Sequence, residues 1–329
     1  MSTSASSTPS IVLSTRDEWS KELELLPSLE KTGGLIPSIF LAHGQPLLVY
    51  PPTLAAERSG FGPLLETQGP NGTLAQFLRD LGPVLLEKYK PKAIVVFSAH
   101  WESPSERLVT DYGAENPLLM DYFGFPDELY KVEFESRGDH ALSERIVELY
   151  KAAGIRARLS PKIEPRGEDG RGFSGPGLDH GVFVPFKLMF GDKAPIPIVQ
   201  VSIDSSLSPE EEWKIGAALA PLRGEGILIV SGGLTIHTFR DFGAFAPSTA
   251  KPPYKDFEES IIKAAAIPEP EKRKAALFHL TTHPGFRLAH PREEHFVPLY
   301  IAAGAGSDGG GDAKLLSGIH GAKTIAFGV

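Results

Sequence analysis

Three histidines follow apolar runs rich in β-branched residues: Phe40-Leu41-Ala42-His43, Val96-Phe97-Ser98-Ala99-His100, and Ile229-Val230-Ser231-Gly232-Gly233-Leu234-Thr235-Ile236-His237. Runs of this length and type predict buried strands rather than helices. In an open α/β sheet the ligand crevice lies beyond the carboxyl ends of the strands. Three imidazoles delivered there from separate strands could converge on one ion, and three neutral imidazoles with an open position suit a catalytic Zn²⁺ or Fe²⁺. Gly44, Ala99, Gly232 and Gly233 flank them and allow the backbone to come close. Any one of these histidines alone reads more simply as a hydrogen-bonded loop residue; the repeated placement is what favours a site.

His180 has a different setting, Gly177-Leu178-Asp179-His180-Gly181, after a long polar loop. A loop histidine beside an acid is a candidate general acid/base, because its ordinary pKa lies near neutrality. The alternative is a turn residue beside a solvated Asp179. In His290-Pro291-Arg292-Glu293-Glu294-His295 the proline and acids suit a helix start. The five-residue spacing is not the i,i+4 of a helical chelate, so two ligands from this segment are not expected. His140, His279, His283 and His320 read as surface or structural.

The elements that must position these residues alternate in type. Thr15 to Glu18 fits a capping box, with a short helix from Arg16. Residues 73–88 carry Leu74, Phe77, Leu78, Leu81 and Leu85 at helical spacing. Further helices are expected over residues 140–153, after Ser208-Pro209, over 255–279, and from Pro291 through Ala302. Strands are expected at residues 36–42, 93–99, 155–159, 196–203 and 227–230. Such alternation predicts an α/β fold, one domain with a central mixed β-sheet flanked by helices. Residues 1–10 read as a disordered tail outside a single domain of residues 11–329. Gly304–Gly311 reads as a flexible loop before a C-terminal tail.

Composition narrows the chemistry. The 329 residues hold 41 acidic and 33 basic side chains, ten histidines and no cysteine. Disulfides, Cys-ligated zinc, iron–sulfur clusters and thiol nucleophiles are excluded. A net charge of −8 argues against nucleic acid as a partner. No apolar run approaches the roughly 20 residues of a membrane span, and the Ser/Thr-rich start does not read as a secretory signal, so a cytoplasmic location is expected. Gly170-x-Gly172-x-x-Gly175 and Gly304-x-Gly306-x-x-Gly309 match the dinucleotide fingerprint by letters only, since neither lies between a strand and a helix. Phosphate-loop, nucleophile-elbow and HExxH motifs are absent from the sequence.

Five ordered motifs then carry a resemblance. They are His43-Gly44-Gln45-Pro46, Ser98-Ala99-His100-Trp101-Glu102, Gly177-Leu178-Asp179-His180-Gly181, Gly233-Leu234-Thr235-Ile236-His237 and His290-Pro291-x-x-Glu294-His295-x-x-Pro298-Leu299. Together with Tyr122–Tyr130, they resemble class III extradiol ring-cleaving dioxygenases, most closely the DOPA 4,5-dioxygenase branch. The likeness runs from about Pro37 to the C-terminus. It implies insertion of O₂ beside the two hydroxyls of a catechol, giving a semialdehyde. It also implies His43, His100 and His237 as ligands of one divalent metal (Fe²⁺ for oxygenase activity, or Zn²⁺ as isolated). His180 would be the acid/base, and His295 a pocket residue near the substrate. If His237 does not serve, Asp241 is the nearest acid downstream. Gln45 replaces a smaller residue of the usual pattern, and Thr-Ile-His-Thr replaces the more usual Thr-His-Asn.

Trp101 and Phe125 are candidate walls for a flat substrate, with a structural role as the alternative. The loop from Lys162 to Gly175 reads as exposed and mobile, with Arg166 or Arg171 available to a substrate carboxylate. Two rival functions remain on these residues. One is a zinc-dependent hydrolase using the same three histidines to activate water. The other is a non-catalytic binding protein on the same fold.

Overall fold

The computed structural model describes residues 14–51, 62–166, 172–308 and 311–329. Eight strands form one sheet in the order β4-β3-β5-β2-β6-β1-β8-β7. They are β1 (Ser38–Ala42), β2 (Ala93–Ser103), β3 (Arg107–Asp111), β4 (Ala157–Pro161), β5 (Ile198–Asp204), β6 (Ile227–Gly233), β7 (Ala313–Ser317) and β8 (Thr324–Phe327). Four central strands, β5, β2, β6 and β1, run parallel. Their carboxyl ends therefore share one edge of the sheet. On either side the direction reverses, where β3 pairs antiparallel with β5 and β8 antiparallel with β1. The chain is thus one α/β domain with a mixed sheet flanked by helices.

The central strands are apolar on both faces, as a helix-covered sheet requires. Every residue of β2 is buried, and so is every residue of β1 and β6. The helix Pro298–Ala305 is wholly buried and packs on β1, β6 and the helix Pro209–Ala218. On the site side, the helix His180–Phe190 packs on β2 and on the helix Thr73–Tyr89, whose buried residues include Leu74, Phe77, Leu78, Leu81 and Leu85. The capping box at Thr15 forms, with Glu18 accepting from the Thr15 backbone N–H at 2.9 Å.

Three expectations need correction. Residues 291–297 form turns, and the helix there begins at Pro298. Pro298 stands at a helical start and Pro291 does not, because the intervening residues are held by the site. The expected C-terminal tail is the hairpin β7–β8, whose strand β8 covers the edge of β1. Strand β3, five residues with a charged residue at each end, was also outside the expected set. The expected tail of residues 1–10 lies outside the described residues.

Candidate metal and acid–base site

Strand β1 ends at Ala42 beside Gly233 of β6, and the His43 N–H continues the pairing by donating to Gly233 O at 3.1 Å. Gly44 then takes φ +71°, and a side chain there would drive into Leu48 Cδ1. Glycine is therefore required for the turn that aims His43 inward. Strand β2 pairs regularly with β5 up to Phe97 and Val201, then resumes at Glu102 and Ile203. Five residues of β2 advance against two of β5, so a bulge occupies Ser98–Trp101. Bulges re-aim side chains at sheet ends, and this one carries His100. His237 lies four residues past β6, its N–H donating to Ala289 O at 2.9 Å.

These segments bring five histidines into contact. His43, His100 and His295 each offer a nitrogen, and those atoms lie within 4.8 Å of one another. His100 Nε2 and His295 Nε2 are 3.0 Å apart. Two imidazole nitrogens on a tetrahedral ion with ~2.0–2.1 Å bonds stand roughly 3.3 Å apart, so the spacing fits a shared ion. His237 stacks on His295 with ring centroids 3.5 Å apart and forms a second group with His295 and Glu294. The five-residue spacing of His290 and His295 argued only against a pair of ligands from this segment, and the resemblance implied a pocket role for His295. Because residues 291–297 turn rather than continue a helix, His295 folds back among the other histidines while His290 points elsewhere. His290 Nε2 meets Thr235 O at 3.0 Å, and burial lowers its pKa to about 4.

His180 opens the helix His180–Phe190, with its ring 4.0 Å from that of His100. Its backbone N–H and its Nδ1 both lie 2.8 Å from Asp121 Oδ1. With the proton on Nδ1 the ring donates to Asp121, and Nε2 is left as the basic atom. The next residue, Gly181, is required by close approach: a Cβ there would lie 2.5 Å from His43 Nδ1 and 2.6 Å from Ser98 Oγ. Asp179, the N-cap, is fully buried. It accepts from Ser98 Oγ at 2.6 Å, Gln200 Nε2 at 2.6 Å, Gly181 N at 2.9 Å and Arg166 Nη1 at 2.9 Å, and it lies 3.3 Å from His100 Nδ1. Burial alone would raise the Asp179 pKa, but Arg166, His100 and Ser98 together hold it well below the usual carboxylate range.

On the other side, Glu294 Oε1 lies 3.1 Å from His295 Nδ1 and 3.7 Å from His237 Nδ1. Burial, followed by the neighbouring His295, pushes the His237 pKa well below its ordinary value, so this imidazole is neutral. A neutral imidazole is the form that binds metal.

A cavity of about 700 Å³ opens over this cluster. Phe125, His100, His180, His237 and His295 all line it, together with Gln45, Glu102, Asp121, Tyr122 and Arg292. Trp101 is not on this wall. It points into the core, fully buried, with its indole N–H donating to Arg166 O at 2.6 Å. Arg166 is likewise not an exposed loop residue. Its guanidinium is fully buried, 5.2 Å from the Trp101 ring, and committed to Asp179. A buried arginine is stable only when paired, and no pattern in the sequence marks Asp179 as its partner. Arg171, Glu168 and Asp169 lie outside the described residues. Asp241 caps the turn Phe242–Phe245 and pairs with Lys251 at 2.7 Å, so its carboxylate is engaged away from the histidines. Nothing in the sequence marks the roles of Asp121 and Glu294, and Asp179, expected beside His180 or in solvent, is buried and supports His100 instead. They are three of 41 acids, and only the fold shows that each faces an imidazole.

Among known proteins, the family "Catalytic LigB subunit of aromatic ring-opening dioxygenase" matches residues 39–326. The chain is 44% identical to the "4,5-DOPA dioxygenase extradiol-like protein" of Schizosaccharomyces pombe, across 95% of this chain and 97% of that one. It is 30% identical to the "4,5-DOPA dioxygenase extradiol" of Beta vulgaris, across 82% and 87% of the two chains. The crystal structure of an uncharacterized Escherichia coli K12 protein superposes with a TM-score of 0.60 at 25% identity, covering 89% of this chain and 99% of that one.

Proposed function

We propose, from the premise that this chain belongs to the LigB family of aromatic ring-opening dioxygenases, that it opens the ring of a catechol with O₂, beside the two hydroxyls, to give a semialdehyde. The observation that carries this reading is the meeting of His100, His180, His237 and His295 in one cavity, with a His43 nitrogen within 4.8 Å of nitrogens on His100 and His295. Nitrogen donors without thiolates, placed within reach of one another, suit a divalent first-row metal. His43 and His100 would hold it, with the third nitrogen supplied by the stacked pair His237 and His295. Fe²⁺ at this position would acidify the catechol hydroxyls and support electron transfer to O₂, whereas redox-inactive Zn²⁺ would bind without that chemistry.

The remaining steps belong to the protein. Phe125 and Tyr122 flank a flat ring, meeting each other edge-on at 5.5 Å. His180 accepts a catechol proton at Nε2, and Asp121 stabilises the imidazolium through Nδ1. The same proton is available for return when the ring opens. Asp179 holds His100 through Nδ1, which fixes the tautomer that presents Nε2 to the metal.

The test is oxygen consumption by iron-reconstituted protein with 4-methylcatechol, DOPA and 3,4-dihydroxyphenylacetate. The reading requires one O₂ per catechol and a new absorbing semialdehyde with at least one of them. No O₂ uptake with any of the three overturns it, and metal-dependent ester hydrolysis in its place supports a zinc hydrolase.

A further inference from the structure

Two buried titratable groups behind the outer imidazoles take no part in the ring chemistry, and both grip Thr235. Glu258 is buried near the middle of the helix Pro252–Ala265. Its Oε1 accepts from Thr235 Oγ1 at 2.6 Å and from the Gly321 N–H at 2.8 Å. Its Oε2 accepts from Lys323 Nζ at 3.1 Å and lies 2.6 Å from His320 Nδ1. At the Thr235 carbonyl, His290 Nε2 stands 3.0 Å from the oxygen. A carbonyl oxygen only accepts, so His290 carries its proton on Nε2. Its Nδ1 is buried and meets no partner among the described residues, so the bond to Thr235 is the polar contact this ring makes.

Thr235 stands two residues before His237, and the backbone around it is tied to two other segments. The Leu234 N–H donates to His295 O at 2.8 Å, and the His237 N–H donates to Ala289 O at 2.9 Å. Between them, the Ile236 N–H donates to Gly321 O at 3.2 Å. Glu258 Oε1 therefore closes a ring of bonds, joining the Thr235 side chain to the same Gly321 that receives Ile236. An ionised carboxylate makes such bonds stronger than a neutral acceptor would. Because Leu234 bonds the backbone of His295 itself, a shift at Thr235 reaches both stacked imidazoles. Those rings share one acid, Glu294, so their placement falls to this backbone.

We propose that Glu258, acting through the Thr235 hydroxyl, is the positioning residue of the outer imidazoles and sets where His237 and His295 stand relative to His43 and His100. The proposal rests on the metal-binding part of the reading above and not on the identity of the substrate. A positioning bond differs from a structural one in what its loss changes. Loss of a structural bond lowers stability and leaves the geometry around a bound ion as it was. Loss of a positioning bond alters that geometry in protein that is still folded.

Co²⁺ separates the two, because its visible ligand-field bands follow coordination geometry. Spectra normalised to bound Co²⁺ are insensitive to the fraction folded. Thr235→Val keeps the shape of the side chain and removes the hydroxyl. It should shift the Co²⁺ spectrum and weaken Co²⁺ binding about 10-fold in chelator competition, the lower end of the scale for a lost partner behind a ligand. Thr235→Ser keeps the hydroxyl and should restore both. If Thr235→Val does not fold, Glu258→Gln decides on the same readings, since it keeps an oxygen for Thr235 and loses the charge. A wild-type spectrum in the folded variant overturns the proposal whatever its stability, as does a Thr235→Ser spectrum as altered as that of Thr235→Val. Wild-type protein that takes up no Co²⁺ overturns the metal reading and the proposal together. A spectrum that shifts in Thr235→Val and returns in Thr235→Ser, in a protein whose iron form consumes no O₂ with catechols, upholds the proposal and overturns the dioxygenase reading alone.

Discussion

The histidine cluster has two unlike halves. His43, His100 and His180 are held from within the sheet. The supports behind His100, namely Asp179, Arg166, Gln200 and Ser98, are fully buried, Asp179 accepts from four of the surrounding groups, and His180 is held by buried Asp121. His237 and His295 sit on connections after β6 and before the helix Pro298–Ala305, and they share one acid, Glu294. A side chain backed by several dry hydrogen bonds has one available position. One backed by a single shared carboxylate has more. The inner half is built for fixed geometry. The outer half is built where residues can change without disturbing the sheet, and it is there that Arg292 meets the cavity.

The largest effect that would sharpen this contrast is on metal content. His43→Ala or His100→Ala should leave the protein without bound metal and without turnover. His237→Ala and His295→Ala should each keep a measurable fraction, since the stacked neighbour remains. Atomic-absorption analysis checks this, and full metal in His100→Ala would dissolve the distinction. Next, His180→Ala should retain its metal and lose roughly 10²–10⁴-fold in rate, the scale of a removed general acid/base. Loss of metal in that variant would move His180 into the ligand set.

Arg166→Met strands the buried Asp179 carboxylate and should cost about 3–5 kcal/mol of stability, as broken buried pairs do. Urea unfolding with an unchanged midpoint would remove Arg166 from the inner support. On the outer side, Glu294→Gln should weaken metal binding by about 10–100-fold with little change in the unfolding midpoint, because it alters ligand support and leaves the core intact.

The smallest effect is on acid stability. Glu258 lies behind the outer half, accepting from Thr235 Oγ1 at 2.6 Å and from Lys323 Nζ at 3.1 Å. Burial raises its pKa, but Lys323 and His320 more than reverse that and bring it from 4.5 to about 2. The unfolded chain therefore binds the extra proton first. Stability from Glu258 is fully present above pH 4.5 and is lost as pH falls towards 2. Glu258→Gln should flatten the unfolding free energy between those limits, and an unaltered slope would show that the carboxylate is not coupled to folding.

Much of the frame was legible because the central strands announce themselves. Residues 93–97 and 227–230 are nearly continuous β-branched or aliphatic runs, and buried parallel strands have that pattern. The histidines after them could be located for the same reason. Of the outer strands, β4 was expected at residues 155–159, but β3, β7 and β8 were not. β7, Ala313-Lys314-Leu315-Leu316-Ser317, shows no alternation, and its place depends on pairing with β8. His295 was harder to assign than His43, since its position depends on a turn and not on a strand end. Arg166 looked exposed because it sits among glycines and acids. A partner 13 residues away, brought close by the fold, decides its burial.

The bulge-borne His100 and the turn-borne His295 touch across 195 residues of sequence. His43 joins them from the first strand, while the edge of that strand is covered by β8, near the C-terminus. The clustered imidazole nitrogens therefore converge only when the ends of the domain have come together. Contacts of such long range form late, after the loop-closure entropy has been overcome. Metal capture should then follow folding rather than guide it. A nascent or truncated chain lacking β8 would have no complete site in which to trap an ion, so metal retention would report, in a single measurement, that the whole domain has closed.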